Sequence, residues 1–309
     1  MNMIHKPSLA KCDNRNIKAK KHPYSGDPED WLSNELLSKF NISAVSFDFF
    51  INWSDNTTSS EIWIKRIVDR NVQTWPIADN EMLLKWIYDC DSEQAISDLS
   101  YFCGQNNLKL NYFLFKDVDW NNSDGGIVNV TLDNEGNLVG ANQISIEELK
   151  ERIKSQSGGN VSVGRKGLFY GLSTLECYLS KTDAAWPGDL DILLLDDNKD
   201  PLAIIELKKH TLGSSINNQK LSNYYPSKDA RKYDRLAIFR NYLQTSHDLP
   251  IIVLYYPTNT NENLIKLEKI DGNVGNLKSG KSLVLELPNI KEKMKLEEFH
   301  KSLLGVIME

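Results

Sequence analysis

Apolar positions recur along this chain with two periods, and the switches between them outline its elements. Runs of strand length occur at 44–50 (Ala-Val-Ser-Phe-Asp-Phe-Phe), 108–115, 127–132 and 137–139. The last two flank Asp133-Asn134-Glu135-Gly136, a hairpin sequence. Helical spacing predicts helices over 61–70, 81–88 and 93–104, the third closed by Gly104. Ser145-Ile146-Glu147-Glu148 has capping-box spacing and predicts a helix to about residue 154. Beyond a polar, glycine-bearing stretch (155–160) the pattern predicts a long helix (167–181), strands at 190–195 and 202–208, and a helix (228–244). A buried strand (250–256), two further strands (264–270 and 283–287) and an amphipathic helix (290–308) complete it. No internal repeat and no low-complexity tract is read.

This pattern divides the chain into a mobile basic tail (1–25), an α/β accessory domain (26–155) and a second domain (156–309). The 309 residues are 40% hydrophobic and 25% charged, the balance of a globular protein rather than a disordered one. No apolar run reaches the roughly 18 residues of a membrane helix. The basic N-terminus lacks the apolar region of a secretory signal. Cys12, Cys90, Cys103 and Cys177 lie far apart with no CxxC spacing, and are read as reduced thiols of a cytoplasmic protein. A net charge of −6 argues against a protein that coats nucleic acid non-specifically. It leaves room for an enzyme with a local basic face, since a metal site neutralises phosphates itself.

The candidate chemistry lies in Trp186-Pro187-Gly188-Asp189-Leu190-Asp191-Ile192-Leu193-Leu194-Leu195 and the strand after it. Alternation puts Asp191, Leu193 and Leu195 on one strand face. Residues 196–201 (Asp-Asp-Asn-Lys-Asp-Pro) have turn chemistry, and Ile204, Glu206 and Lys208 then share a face of the returning strand. A hairpin pairing brings Asp191 beside Glu206, with Lys208 one step further. Two carboxylates at the end of an apolar hairpin are costly unless a divalent metal and a lysine compensate them. In the preceding predicted helix, Phe169, Leu172, Glu176 and Leu179 fall on one stripe, which puts Glu176 on the apolar side.

A helix glutamate, Pro-Gly-Asp-Leu-Asp, a hairpin and Ile-Glu-Leu-Lys together resemble the PD-(D/E)xK nuclease superfamily over roughly residues 160–260. The resemblance implies a restriction-endonuclease-like α/β core, a mixed central sheet flanked by helices. It implies Glu206 as the second-motif acid, Lys208 as the lysine and Glu176 as the helix acid. Gly188 splits the Pro-Asp of the motif, so the first acid is Asp189 or Asp191, with Asp191 favoured because it leads directly into the apolar strand. The expected activity is magnesium-dependent hydrolysis of phosphodiester bonds, with manganese able to substitute. The expected substrate is DNA cut internally, in restriction, repair, transposition or defence, and RNA stays open. Magnesium would be held by Asp191, Glu206, Glu176 and Asp189, with Lys208 orienting or activating water or stabilising charge on the phosphate.

Lys228, Arg231, Lys232 and Arg235 form a basic stripe on the helix after the motif, and with Lys209 are the expected nucleic-acid contacts. The alternative reading is a catalytically inactive binding or interaction module. A homodimer or a separate partner protein fits either reading. Residues 275–282 (Gly-Asn-Leu-Lys-Ser-Gly-Lys-Ser) match a phosphate-loop pattern, but a strand follows rather than a helix, so a hairpin turn is expected. Trp63, Trp75 and Trp86 are read as core residues at helical positions.

Overall fold

The computed structural model describes residues 3–308 except 123–125, 165, 212, 228 and 244–247. The described strands are β1 (Ile4–His5), β2 (Ala10–Lys11), β3 (Ser43–Asn52), β4 (Thr57–Val68), β5 (Lys109–Lys116), β6 (Ile127–Leu132), β7 (Leu138–Ile144), β8 (Tyr170–Gly171), β9 (Gly188–Leu195), β10 (Pro201–His210), β11 (Ile251–Pro257), β12 (Leu264–Asn273) and β13 (Asn276–Glu286). The helices are α1 (Pro28–Trp31), α2 (Asn34–Leu37), α3 (Asn80–Asp91), α4 (Glu93–Gln105), α5 (Ile146–Ser157), α6 (Thr174–Leu179), α7 (Ala230–Leu243) and α8 (Lys293–Met308). The fold is mixed α/β, with helices against mixed sheets. Among the described residues no helix is long and apolar enough to cross a membrane.

The chain forms two compact units: unit 1 holds Met1–Ala19 and Phe47–Asp189, unit 2 holds Lys20–Ser46 and Leu190–Glu309. This differs from the sequential division read from the sequence, because both units are assembled from separated segments. Residues 1–25 are not a free tail either. β1 pairs with β4, β2 pairs with β8, and the side chain of Arg15 donates to the carbonyls of Gly171 and Leu172. These ties are to residues far along the chain, beyond the reach of a local pattern.

In unit 1, β3 and β4 are antiparallel, β4 and β5 parallel, and β5, β6 and β7 an antiparallel meander. The helix expected over 61–70 is absent, since β4 occupies that stretch. Helix propensities differ by only about 0.5 kcal/mol per residue. Burying Ile62, Trp63 and Ile64 is worth about 2 kcal/mol each, so tertiary packing decides. Trp63 is therefore a core residue of a strand, not of a helix. The long helix expected over 167–181 shrinks to α6: Tyr170 and Gly171 are β8, and Ser173 caps α6 by accepting from Glu176 N–H at 3.1 Å. Phe169 and Leu172 lie outside α6, so the stripe that placed Glu176 does not exist as a helix face. Leu175 and Leu179 do enter the core of unit 1, with Phe50, Trp63 and Phe113.

Cys12 and Cys177 form a disulfide with Cα atoms 5.4 Å apart, which corrects the reading of four reduced thiols. The strand pair β2–β8 brings these residues together across a separation of 165. Cys90 and Cys103 are free.

In unit 2, β9 and β10 are antiparallel, β10 and β11 parallel through the α7 crossover, and β11, β12 and β13 antiparallel. Its core joins Trp31 and Leu37 of α1 and α2 to Ile192, Leu194, Ile205, Ile252 and Leu254 of the strands and Phe299 and Leu303 of α8. Of the 275–282 stretch expected as a hairpin turn, only Gly275 lies at the β12–β13 turn, in the positive-φ conformation (79°) that favours glycine, and residues 276–282 already belong to β13.

Candidate functional site

In unit 2 the apolar ladder between β9 and β10 runs to Ile192 opposite Ile205, and the next residues are Asp191 and Glu206. Asp191 Oδ2 accepts the Leu207 N–H at 2.7 Å, so the carboxylate takes over a backbone donor where strand pairing stops. Glu206 is 1% exposed, and neither carboxylate oxygen receives a hydrogen bond of good geometry. A charge buried in this way needs a compensating cation. Lys232, in the first turn of α7, supplies one: its Nζ lies 2.6 Å from Glu206 Oε1 and 3.9 Å from Asp191 Oδ2. The neighbouring Tyr233 hydroxyl is buried without a hydrogen-bond partner. Burial first, and then the negative charge of Glu206, push its ionisation far above the usual phenol range.

Lys208 follows Glu206 on the expected strand face, but its ammonium is ion-paired to Asp229 and sits 4.1 Å from the centroid of the Tyr224 ring. The cation nearest the two acids is thus Lys232, which the sequence reading had placed among the nucleic-acid contacts. Of the rest of that set, Arg231 is exposed, Arg235 and Lys209 are half-buried, and Lys228 lies outside the described residues. The Lys209 ammonium is pushed down by burial, opposed by the carboxylate of Asp27.

Asp27 was missed because it lies just past the stretch read as a tail. It precedes Pro28 at the start of α1, is buried, pairs with Lys21, and leaves Oδ1 without a hydrogen bond. Burial raises the Tyr256 phenol far above its usual range, and the charges of Asp27 and then Asp191 add to it. The signal was legible as an acid-Pro-acid run, Asp27-Pro28-Glu29-Asp30.

Glu176 and Asp189 belong to unit 1. Glu176 Oε2 accepts the Leu172 N–H at 2.6 Å. Burial raises its carboxyl above the usual range, opposed by Lys65 and the Leu172 donor and reinforced by Asp48 and Asp189. Lys65 donates to both oxygens of Asp48 at 2.9 Å, and Trp186 Nε1 donates to Asp48 Oδ2 at 2.9 Å.

Among the described residues no three His, Cys, Asp or Glu side chains are grouped to hold a metal ion. The Asp191–Glu206 pair nevertheless matches the donor chemistry of magnesium. That ion takes one or two carboxylates and keeps most of its waters, and Glu206 offers two buried oxygens without hydrogen bonds. The chain matches no protein-family profile, no curated protein and no solved structure.

Proposed function

We propose that the chain is a metal-dependent nuclease whose centre is the Asp191–Glu206 pair of unit 2. The observation that carries this reading is the buried Glu206 carboxylate, unsatisfied by hydrogen bonds and set beside a second acid at the mouth of an apolar hairpin. The order β9, β10, α7, β11, with β11 parallel to β10, also supports a restriction-endonuclease-like core. Asp191 and Glu206 would hold magnesium. Bound there, the ion would polarise a scissile phosphate and acidify a water. Lys232 balances the acid pair, and its flexible stem, carrying a point charge rather than a fixed fork, would let it turn toward the negative charge that builds on the phosphate. Asp229 and Tyr224 hold the Lys208 ammonium in one place, ready to orient a water or a phosphate oxygen. Arg231 and Arg235 are the phosphate-backbone contacts, and DNA is the substrate.

Purified protein incubated with linear, circular, single-stranded and branched DNA plus magnesium tests the reading. Cleavage is expected from the parent and not from Glu206→Gln. A parent that cuts none of these, or a Glu206→Gln protein that cuts as well as the parent, rejects it. The contact of Lys232 with Glu206 favours a second reading, an inactive binding module in which the ammonium permanently replaces the metal. Under that reading the DNA is bound but not cut, and manganese does not bind.

A further inference from the structure

The two units share one topology. Each is an antiparallel hairpin (β3–β4, β9–β10), a helical crossover (α3 and α4, α7), a strand parallel to the second hairpin strand (β5, β11), an antiparallel meander (β6–β7, β12–β13) and a closing helix (α5, α8). Within each unit these strands lie side by side in the order of the sequence. The likeness extends to register. Asp48 stands opposite Trp63 as Asp191 stands at Glu206, and the two separations are the same 15 residues, 48 to 63 and 191 to 206. Lys65 follows Trp63 by the same step with which Lys208 follows Glu206.

The leading helices match in an exchanged manner. The α1–α2 segment precedes β3 in the chain but packs in the core of unit 2, and α6 precedes β9 but packs in the core of unit 1. Each unit thereby gains one acid from a leading segment, Glu176 in unit 1 and Asp27 in unit 2. The side-chain identities of the two units differ too much for the repeat to be read from the sequence.

At the equivalent position, unit 1 is chemically closed. Trp63 is 0% exposed and packs on Phe50, Phe113 and Trp186 at ring distances of 4.5, 4.3 and 5.3 Å. Both Asp48 oxygens are taken by the buried Lys65 ammonium, and one also by Trp186. A dication entering there would have to displace an ammonium enclosed between Asp48 and the neighbouring Glu176. In unit 2 the cation on the acids is not the strand lysine Lys208 but Lys232, which is half-buried and reaches Glu206 from α7.

We propose that the units are two copies of one module, and that the copy of the acidic site in unit 1 has been closed by Trp63 and Lys65, leaving Asp191–Glu206 as the single divalent-metal centre. The proposal rests on the nuclease reading for the live centre, and its own content is the number and place of the metal sites. Manganese binding to the full chain, followed by electron paramagnetic resonance and calorimetry, tests it. One ion per chain is expected. Asp191→Asn should weaken its binding by roughly tenfold or more, and Asp48→Asn should leave it within about twofold while lowering the melting temperature, because Lys65 then loses its buried partner. Two ions per chain, one of them lost in Asp48→Asn, would overturn the closed-copy inference and leave the nuclease reading standing. No bound manganese would overturn the live centre in unit 2 and the nuclease reading with it. Should Asp48→Asn fail to fold, the stoichiometry of the parent still decides between one site and two.

Discussion

Lys232 Nζ lies 2.6 Å from Glu206 Oε1, where β10 leaves the apolar hairpin. The contact joins the first turn of α7 to the strand that carries the second acid, so the crossover helix is built into the electrostatics of the site. A metal ion bound at Glu206 would have to share the carboxylate with the ammonium or move it aside.

Replacing Lys232 with Met removes that cation while keeping the stem. Without metal the variant should lose about 1–2 kcal/mol of stability at neutral pH, the cost of an uncompensated buried carboxylate discounted for the partial exposure of Lys232. Magnesium should restore more stability to this variant than it adds to the parent. Urea unfolding with and without magnesium measures both effects, and an unchanged midpoint without metal would show that the ion pair contributes nothing.

Asp191 and Asp189 separate by their surroundings. Asp191 accepts the Leu207 amide and shares Lys232 with Glu206, whereas Asp189 belongs with Glu176 and Lys65 in unit 1. Asp191→Asn keeps the amide contact through its carbonyl oxygen and should abolish cleavage. Asp189→Asn should keep most of it. Rates for the two variants side by side decide, and the reverse ranking would move the first acid to Asp189.

Glu176 gives a pH dependence of known sign. Burial holds its folded-state carboxyl above the ordinary glutamate value, so the folded protein binds the proton more tightly than the unfolded chain does. Its contribution is most favourable below the ordinary value and is lost as pH rises from there through the raised one. Glu176→Gln keeps an acceptor for the Leu172 amide and should flatten the stability profile in that window, with a higher melting temperature at pH 7. Melts from pH 4 to 8 check it. A variant less stable than the parent at pH 7 would mean that the ionised form makes contacts worth more than its burial costs.

The Cys12–Cys177 disulfide closes a long loop and ties the first strands to the helix that carries Glu176. Reduction, or Cys12→Ser, should destabilise the protein by about 5 kcal/mol on the chain-entropy account. Cys103→Ala, at a free buried thiol, keeps the disulfide and should respond to reductant as the parent does, whereas Cys12→Ser should not. Equal unfolding midpoints in oxidising and reducing buffer would show that the bond is not formed.

Much of unit 2 was legible in the sequence because its elements carry local signatures. The Asp196–Asp200 turn separates two apolar strands, α7 has a periodic apolar face, and β11 is an unbroken apolar run. The same holds for the Ser145–Glu148 capping box, whose two reciprocal hydrogen bonds form at 3.1 and 2.6 Å. β4 was illegible for a physical reason. It is buried between β3 and β5, so Ile62, Trp63, Ile64, Ile67 and Val68 do not alternate with polar residues, and a run of that kind also fits a helix. The arbitrating signal was its β-branched content. The place of Lys232 at the acids, the pairing of Cys12 with Cys177 and the exchange of leading helices are tertiary facts. Each depends on residues brought together from distant parts of the chain, and no window of sequence carries them.

The central claim is that Asp191 and Glu206 hold a divalent metal, and the thermal melt of the parent and of Asp191→Asn across a magnesium titration tests it most directly. A ligand that binds only the folded state raises its stability by an amount that grows with concentration. The account predicts a rising melting temperature for the parent and a nearly flat one for Asp191→Asn. Equal stabilisation of both proteins by magnesium would place the metal elsewhere and contradict the account.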